Sequence, residues 1–352
     1  MPKSIINGRP WFDTEGKRIH AHGGSVMFLD GYYYWYGENK EKTSGEDDIW
    51  HWGVRCYRST DLYNWEDMGL IIEPDLEGKV ASLHPTAKMD RPHIIYNEKT
   101  KKFVCWLKIM EGDSMTQTEV VLTADNILGP YTVVNPRLCP LGMSAGDFDL
   151  VVDPATKKAY YYFERVHSET ICAELTDDYT DVTGTYSVHF PHPEGPPYVR
   201  EATAHFERGG KHYLITSGTT GYYPNPSEVA VSDDYHGPYT VLGNPHPDDE
   251  GHTSYHSQIS SILKVHGKRD LYIACADRWL PSYNCLSYEQ LLDLRELRKA
   301  GKREEMREEL AKHGLSPIIN TSLAEYVWLP LRFEDGMVFV DWKEEWRIED
   351  YE

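Results

Sequence analysis

Five times along this chain an apolar segment runs into a short polar turn and returns as a strand rich in Tyr, Phe or Trp. The five stretches are Val26 to Tyr36, Ile94 to Trp106, Leu150 to Phe163, Ala204 to Thr216 and Ile262 to Ala274. Their turns recur at intervals of roughly 50–70 residues, a period that belongs to repeat architectures. A second hairpin follows each of the first four, at Val54–Leu62, Val120–Tyr131, Ile171–Asp177 and Val229–Tyr239. Apolar residues at alternate positions, followed by Asp or Gly-Pro, read as half-buried strands entering turns. Two hairpins per unit make a four-stranded blade, and radial repetition protects the edges of such sheets. The expectation is an all-β, five-bladed β-propeller over residues 1–352 as a single domain. Tyr326–Leu331 and Gly336–Trp342 complete the last blade, and the segment from Ile5-Ile6 to Trp11-Phe12 pairs beside them to fasten the ring.

One stretch breaks this pattern. Near residues 287–313, Leu291, Leu294, Leu297, Met306 and Leu310 fall at helical spacing amid Glu, Lys and Arg. Gly301 splits the run and Gly314 ends it, which predicts a short helical insertion. Acidic residues interleaved with the basic ones exclude a nucleic-acid arm. The formal net charge of −20 likewise argues against nucleic-acid or membrane partners and suits a neutral oligosaccharide or polysaccharide substrate. The six cysteines lack metal-ligand spacing, and most sit in predicted strands as buried free thiols. Met1 to Ile5 lacks an apolar signal core, so a cytoplasmic location is expected, or secretion if a leader has been trimmed.

In a propeller, the first strand of every blade faces the central channel. The starts of those strands read His22-Gly23-Gly24, Asp90-Arg91-Pro92, Gly146-Asp147-Phe148-Asp149, Arg200-Glu201 and Ser257-Gln258. Three acids and an amide converge on one axis; the like charges repel, which is poor structural design but useful around a glycosidic bond. Glu201 is the candidate general acid, because partial burial keeps its proton available. Asp90 either lines the channel or pairs with Arg91. Asp147 and Asp149 point to opposite faces, and the packing register of Leu150 and Val152 assigns Asp147 to the channel and Asp149 to a turn contact. Gln258 either reaches substrate or satisfies buried backbone groups. Trp279, Tyr222 and Tyr223, on predicted loops, suit stacking against sugar faces. No cofactor or catalytic metal is expected; His252 and His256 are candidates to hold a structural ion such as calcium in the channel.

Together these stretches resemble glycoside hydrolase family 43, and within it the exo-β-1,3-galactanase branch. The resemblance runs through Ala21–Gly24, Tyr32–Glu38, Arg91–Asn97, Gly146–Asp153, Arg200–Ala202, Ser217–Asn225, Ser257-Gln258, Asp277–Trp279 and Tyr326–Leu331. It implies a five-bladed propeller, hydrolysis with inversion, Glu201 as proton donor and Asp147 as the group that tunes it. It adds His22, Tyr36, Glu38 and Asp277 to the expected substrate contacts. The chain departs from most of the family in lacking an Asp at His22 or Gly23 to serve as general base. The galactanase branch shares that absence, and there a glutamine matched by Gln258 holds the attacking water, which it would accept through its carbonyl. Asp90 stands where that branch has Glu, one methylene longer. The resemblance implies release of terminal galactose from β-1,3-galactan-type glycans. The same fold and machinery would serve an arabinofuranosidase, galactofuranosidase or xylosidase, and the missing base leaves a non-catalytic carbohydrate-binding propeller as the contrasting possibility.

Overall fold

Asp30-Gly31, Gly209-Gly210 and Asp335-Gly336 are each two consecutive residues with positive φ, the geometry of a type I′ turn. That turn matches the twist of the strands it joins, so these pairs fold local sequence directly into hairpins. The computed structural model describes residues 2–112 and 114–352. The described residues form five four-stranded antiparallel sheets, each continuous in sequence. The first contains β2 (His22–Leu29), β3 (Tyr32–Glu38), β4 (Val54–Ser59) and β5 (Glu66–Ile72), preceded by the two-residue β1 (Ile5–Ile6). The second is β6 (Lys88–Asn97), β7 (Lys102–Met110), β8 (Gln117–Ala124) and β9 (Thr132–Leu138). The third is β10 (Ala145–Val152), β11 (Ala159–Arg165), β12 (Glu169–Leu175) and β13 (Val182–His189). The fourth is β14 (Arg200–Arg208), β15 (Lys211–Gly218), β16 (Glu228–Ser232) and β17 (Thr240–Gly243). The fifth is β18 (Gln258–Lys264), β19 (Tyr272–Arg278), β20 (Glu325–Glu334) and β21 (Met337–Val340), with β22 (Glu345–Trp346) following.

The inner strands touch in the cyclic order β2, β6, β10, β14, β18 and back to β2, which makes the molecule a five-bladed propeller. Its apolar interior is divided into wedges between neighbouring blades. Cys56, Ile94, Cys105 and Leu122 fill the wedge between the first and second blades, and Trp106, Phe148, Tyr161 and Ile171 the next. The third and fourth blades meet over a smaller set including Tyr160, Tyr162, Leu214 and Tyr235, where the Tyr160 and Tyr235 rings stack at 4.1 Å. Asp149 reinforces this joint rather than the turn expected of it. Its carboxylate accepts from the His205 backbone N–H of β14 and pairs with His93 of β6, so one side chain ties three inner strands. Cys56, Cys105, Cys172 and Cys275 are buried and unpaired, whereas Cys285 is an exposed free thiol.

Among the described residues no strand is shared between the first and last blades, so the ring closes on side chains, one short pairing and an isolated bridge. β1 pairs with β22, matching Ile5 to Trp346, and Arg9 bridges to Tyr326. Behind them Trp328 contacts Trp11, Trp35 and Trp65 at centroid distances of 5.2, 4.8 and 5.9 Å. The insertion falls between β19 and β20 as α1 (Tyr288–Lys299) and α2 (Arg303–Lys312). Ser287 and Gln290 form a reciprocal capping box at the start of α1, and Gly301 and Gly314, both with positive φ, follow the two helices. Leu291, Leu294 and Leu310 bury against Tyr223, Trp279 and Tyr283, with Tyr222 packed beside them.

If the aromatic cluster is what closes the ring, Trp328→Ala should cost about 3–5 kcal/mol, because a fully buried indole leaves a cavity at the seam. The solvent-exposed Phe12 provides the control, with Phe12→Ala within about 0.5 kcal/mol of the parent. Denaturant unfolding of both measures this, and equal midpoints would remove the seam from its closing role.

Candidate active site

Every inner strand carries one extra residue near its channel end. The register slips between His22 and Ser25, Asp90 and His93, Ala145 and Phe148, Glu201 and Ala204, and Ile259 and Ser261. Such bulges bend a strand and re-aim its side chains. In three of them the bulged residue is left-handed: Gly23 (φ 60°), Arg91 (φ 53°) and Ala202 (φ 50°). Gly23 has a second reason to be glycine, since a Cβ there would lie 2.6 Å from Glu38 Oε1.

The bulges surround a cavity of about 600 Å³ at one end of the channel, within the range of roughly 300–1,000 Å³ usual for small-molecule sites. All five blades supply its lining: Glu38 and Trp50, then Asp90, Arg91 and Lys108, then Asp147 and Glu164, then Glu201, then Gln258 and Trp279. Arg91 organises the floor. Its Nη2 donates to Asp147 Oδ2 at 2.9 Å and to Gln258 Oε1 at 2.7 Å, while its backbone N–H donates to Glu38 Oε1 at 3.1 Å. Lys108 Nζ donates to Asp147 Oδ1 at 2.6 Å and lies 3.2 Å from Asp90 Oδ2. The Trp50 indole N–H donates to Asp90 Oδ1 at 2.7 Å. Asp90 therefore pairs with Lys108 and Trp50, not with its neighbour Arg91.

Gln258 sits between these groups and Glu201. Its carbonyl accepts from Arg91 and, at 3.2 Å, from the Trp279 indole N–H, which uses both lone pairs. Its amide donates to Ser217 Oγ at 2.9 Å and reaches Glu201 Oε1 at 3.5 Å. The expectation that this carbonyl stands open to accept from a water is thus corrected: two donors already fill it.

The carboxyls are driven apart in acidity. Burial, followed by the charges of Asp147 and Glu164, pushes Glu201 well above the usual carboxylate range, with Lys108 and Arg91 opposing. Burial would also raise Asp147, but Arg91 and Lys108 outweigh it and hold that group at about 2. Burial lifts Glu38 to about 7, with Asp90 adding to the rise and the buried Lys40, 2.8 Å away, opposing it.

One wall is aromatic. Trp50, Tyr222 and Trp279 form an arc with centroids 6.1 and 5.3 Å apart. Asn225 fixes the loop before it, accepting from Gly218 N–H and donating to Gly218 O and Thr220 Oγ1. Tyr223 also borders the cavity but is largely buried against Tyr283.

Three expected substrate contacts lie outside this cavity. His22 is fully buried, with Nδ1 2.9 Å from Asp277 Oδ1 and its ring stacked on Tyr326 at 5.1 Å. Asp277 also accepts from Gly23 N–H, so the pair joins the fifth blade to the first. The Tyr36 hydroxyl donates to Ile94 O and accepts from Ile94 N–H, stapling the first blade to the second. His252 is exposed and His256 bonds the Leu286 carbonyl and Thr253, so the two do not converge on an ion. Among the described residues no cluster of three or more His, Cys, Asp or Glu is arranged to hold a metal.

Lys108, Glu164 and Trp50 escaped the sequence reading. Lys108 interrupts the apolar run Phe103–Met110 and faces Asp90 across the strand pair, and Glu164 follows Tyr160–Phe163 in the same way. A lone charge inside a buried strand was the available signal. Trp50, in an irregular segment, offered none.

Known proteins are similar to this chain in sequence or in structure. A curated Escherichia coli (strain K12) protein described as "Putative beta-xylosidase" is 26% identical over 319 residues, covering 84% of this chain and 50% of its own length. The solved family 43 beta-1,3-galactosidase BT0265 superposes with a TM-score of 0.80 at 29% identity, covering 100% of this chain and 65% of that one. The exo-beta-1,3-galactanase 1,3Gal43A from Clostridium thermocellum gives a TM-score of 0.75 at 26% identity, with coverage of 97% and 66%. This chain thus spans half of the curated relative and about two thirds of these solved chains. No described helix is long and apolar enough to cross a membrane. The profile of Glycosyl hydrolases family 43 matches residues 18–299, and the chain belongs to that family.

Proposed function

We propose that this protein is an inverting, exo-acting glycoside hydrolase that releases terminal galactose from β-1,3-galactan-type glycans. The observation that carries the reading is the pairing of opposites in the cavity floor. Glu201 faces the cavity with its carboxyl raised, beside an Asp147 held ionised by two cations. Binding alone has no use for a protonated acid poised there, which speaks against a non-catalytic propeller. Glu201 gives its proton to the glycosidic oxygen as the bond to the anomeric carbon breaks. Water attacks the opposite face, and its proton passes to an acceptor on that side. Inversion needs carboxyls about 6.5–9.5 Å apart to admit the water. With the Gln258 carbonyl engaged, Asp90 is the stronger acceptor, its oxygens each holding one donor; Gln258 fixes the geometry between Arg91 and Glu201. The similarity to a solved β-1,3-galactosidase and an exo-β-1,3-galactanase supports galactose in a β-1,3 linkage, and the aromatic arc supports a stacked sugar. The curated relative's description favours a second reading, xylose on the same machinery. Release assays with nitrophenyl β-galactoside, β-xyloside and α-arabinofuranoside, alongside β-1,3-galactobiose, decide between them.

Glu201→Gln should lower kcat/KM on a natural disaccharide by ~10²–10⁴-fold and spare aryl glycosides with good leaving groups. Equal rates for variant and parent on the disaccharide would reject Glu201 as the acid.

Activity requires protonated Glu201, so it is lost as pH rises through that group's raised pKa. Asp147→Asn removes a repelling charge and frees Arg91 and Lys108 to favour the ionised form; both effects lower the pKa of Glu201. The basic limb of the pH–rate profile should move to lower pH, and an unmoved limb would make Asp147 purely structural.

Gln258→Ala should reduce kcat far more than it changes KM, with Asp90→Asn nearly as damaging. Proton NMR of the first-formed sugar should show the inverted anomer. A retained anomer would demand a nucleophile in place of a water that gives its proton to Asp90.

A further inference from the structure

α1 is both a buttress and a rim. Leu291 and Leu294 turn inward against the aromatic wall, so the adjoining face of the helix meets the mouth of the cavity. That face presents Arg295, Arg298 and Lys299. Residues 287–313 hold seven Asp or Glu and seven Lys or Arg, so the segment has no basic bias of its own. Yet three of its cations border the cavity and none of its acids does. Arg295 and Lys299 share a single carboxylate, that of Glu296, at 3.2 and 3.0 Å. Among the described residues Arg298 makes no ion pair; it lies beside the Tyr223 hydroxyl. The floor leans the other way, with Glu38, Asp90, Asp147, Glu164 and Glu201 around the reacting end against the two cations Arg91 and Lys108. In a chain of net charge −20, a cationic mouth above an acidic floor is a polarity that surface composition does not produce.

We infer that Arg295 and Arg298, with Lys299, form a subsite for an anionic group, a uronic-acid carboxylate or a sulfate ester, carried on the leaving-group side of the glycan. The inference rests on the exo-glycosidase reading, which puts the neutral terminal sugar in the floor and leads the remaining chain out past α1. In the floor an anionic sugar would meet five carboxyls against the two cations Arg91 and Lys108, both already engaged by Asp147, so the mouth is where a charged substituent is tolerated and gripped. Planar guanidinium forks match both carboxylate and sulfate oxygens, with two donors offered to each group. The substrate class is therefore an acidic galactan-type glycan, with the charge one or more residues beyond the cleaved bond.

The test compares kcat/KM on three galacto-oligosaccharides: one neutral, one bearing a glucuronyl group and one bearing a sulfate on the leaving-group side. Each is measured on the parent and on the Arg295→Ala/Arg298→Ala double variant, and the readout is the anionic-to-neutral ratio within each protein. The parent should favour at least one anionic substrate by about 10-fold. The ratio should fall toward one in the double variant, and toward one in the parent at about 0.5 M sodium chloride. The preferred arm identifies carboxylate or sulfate as the recognised group. A parental ratio near one, or a preference that survives in the double variant, overturns the proposal. If no galactoside is cleaved, the galactose reading fails, and the same ratio is taken on the sugar found by the release assays. The two ideas thereby stand or fall separately.

Discussion

Arg91, on the second blade, bonds directly to the first, third and fifth blades and reaches the fourth through Gln258. Its backbone N–H holds Glu38 of the first blade, and its guanidinium holds Asp147 of the third and Gln258 of the fifth. Gln258 in turn reaches Glu201 of the fourth. A ring of inner strands that brings five carboxyls to one point cannot close against their mutual repulsion without buried cations. Lys40, Arg91 and Lys108 are the three supplied there, two fewer than the acids. Burial pushes two of the five, Glu201 and Glu38, toward the neutral form. The compensation that permits the fold is therefore also what sets a carboxyl whose pKa is raised beside one whose pKa is lowered. Stability and acid–base poise are two readings of a single charge balance.

The bulges explain how a repetitive scaffold yields a non-repetitive site. A regular inner strand would present the same face at each blade, but one extra residue near the channel end lets every blade aim a chosen side chain. Where the bulge is left-handed, as at Arg91 and Ala202, the backbone takes a conformation uncommon for residues other than glycine. The Arg91 bonds and the packing around Ala202 hold it there.

Much of this could be read from sequence because propeller hairpins are local. The Asp30-Gly31 and Gly209-Gly210 turns, the alternation of the strands and the helical spacing of Leu291 and Leu294 depend on near neighbours. The candidates at the strand starts, Asp90, Asp147, Glu201 and Gln258, were legible for the same reason. What escaped was set by partners far away in the chain. His22 looked like a channel residue until Asp277, 255 positions later, claimed it. Asp149 reads locally as a turn residue, because nothing near it in sequence shows that the His205 amide and His93 lie across the blade joints. Lys108 carried a usable signal, a charge alone in an apolar strand, whose meaning appears only when the strand pairing sets it opposite Asp90.

Each blade being continuous in sequence bears on how the molecule is assembled. Its hairpins join residues close along the chain, so most of the loop-closure entropy is met in small steps, an uncommon economy for an all-β protein. The exception is the seam, where Ile5 must find Trp346 and Trp11 must find Trp328. Four blades can emerge and pack in the order of synthesis, but the final wedge waits for residues from both ends of the described chain. His22 and Asp277 join across that same seam, and the His22 ring lies 5.7 Å from the ring of Trp279. The pocket is thus finished by the last step of assembly, and a chain whose ring has yet to close carries its blades without its chemistry.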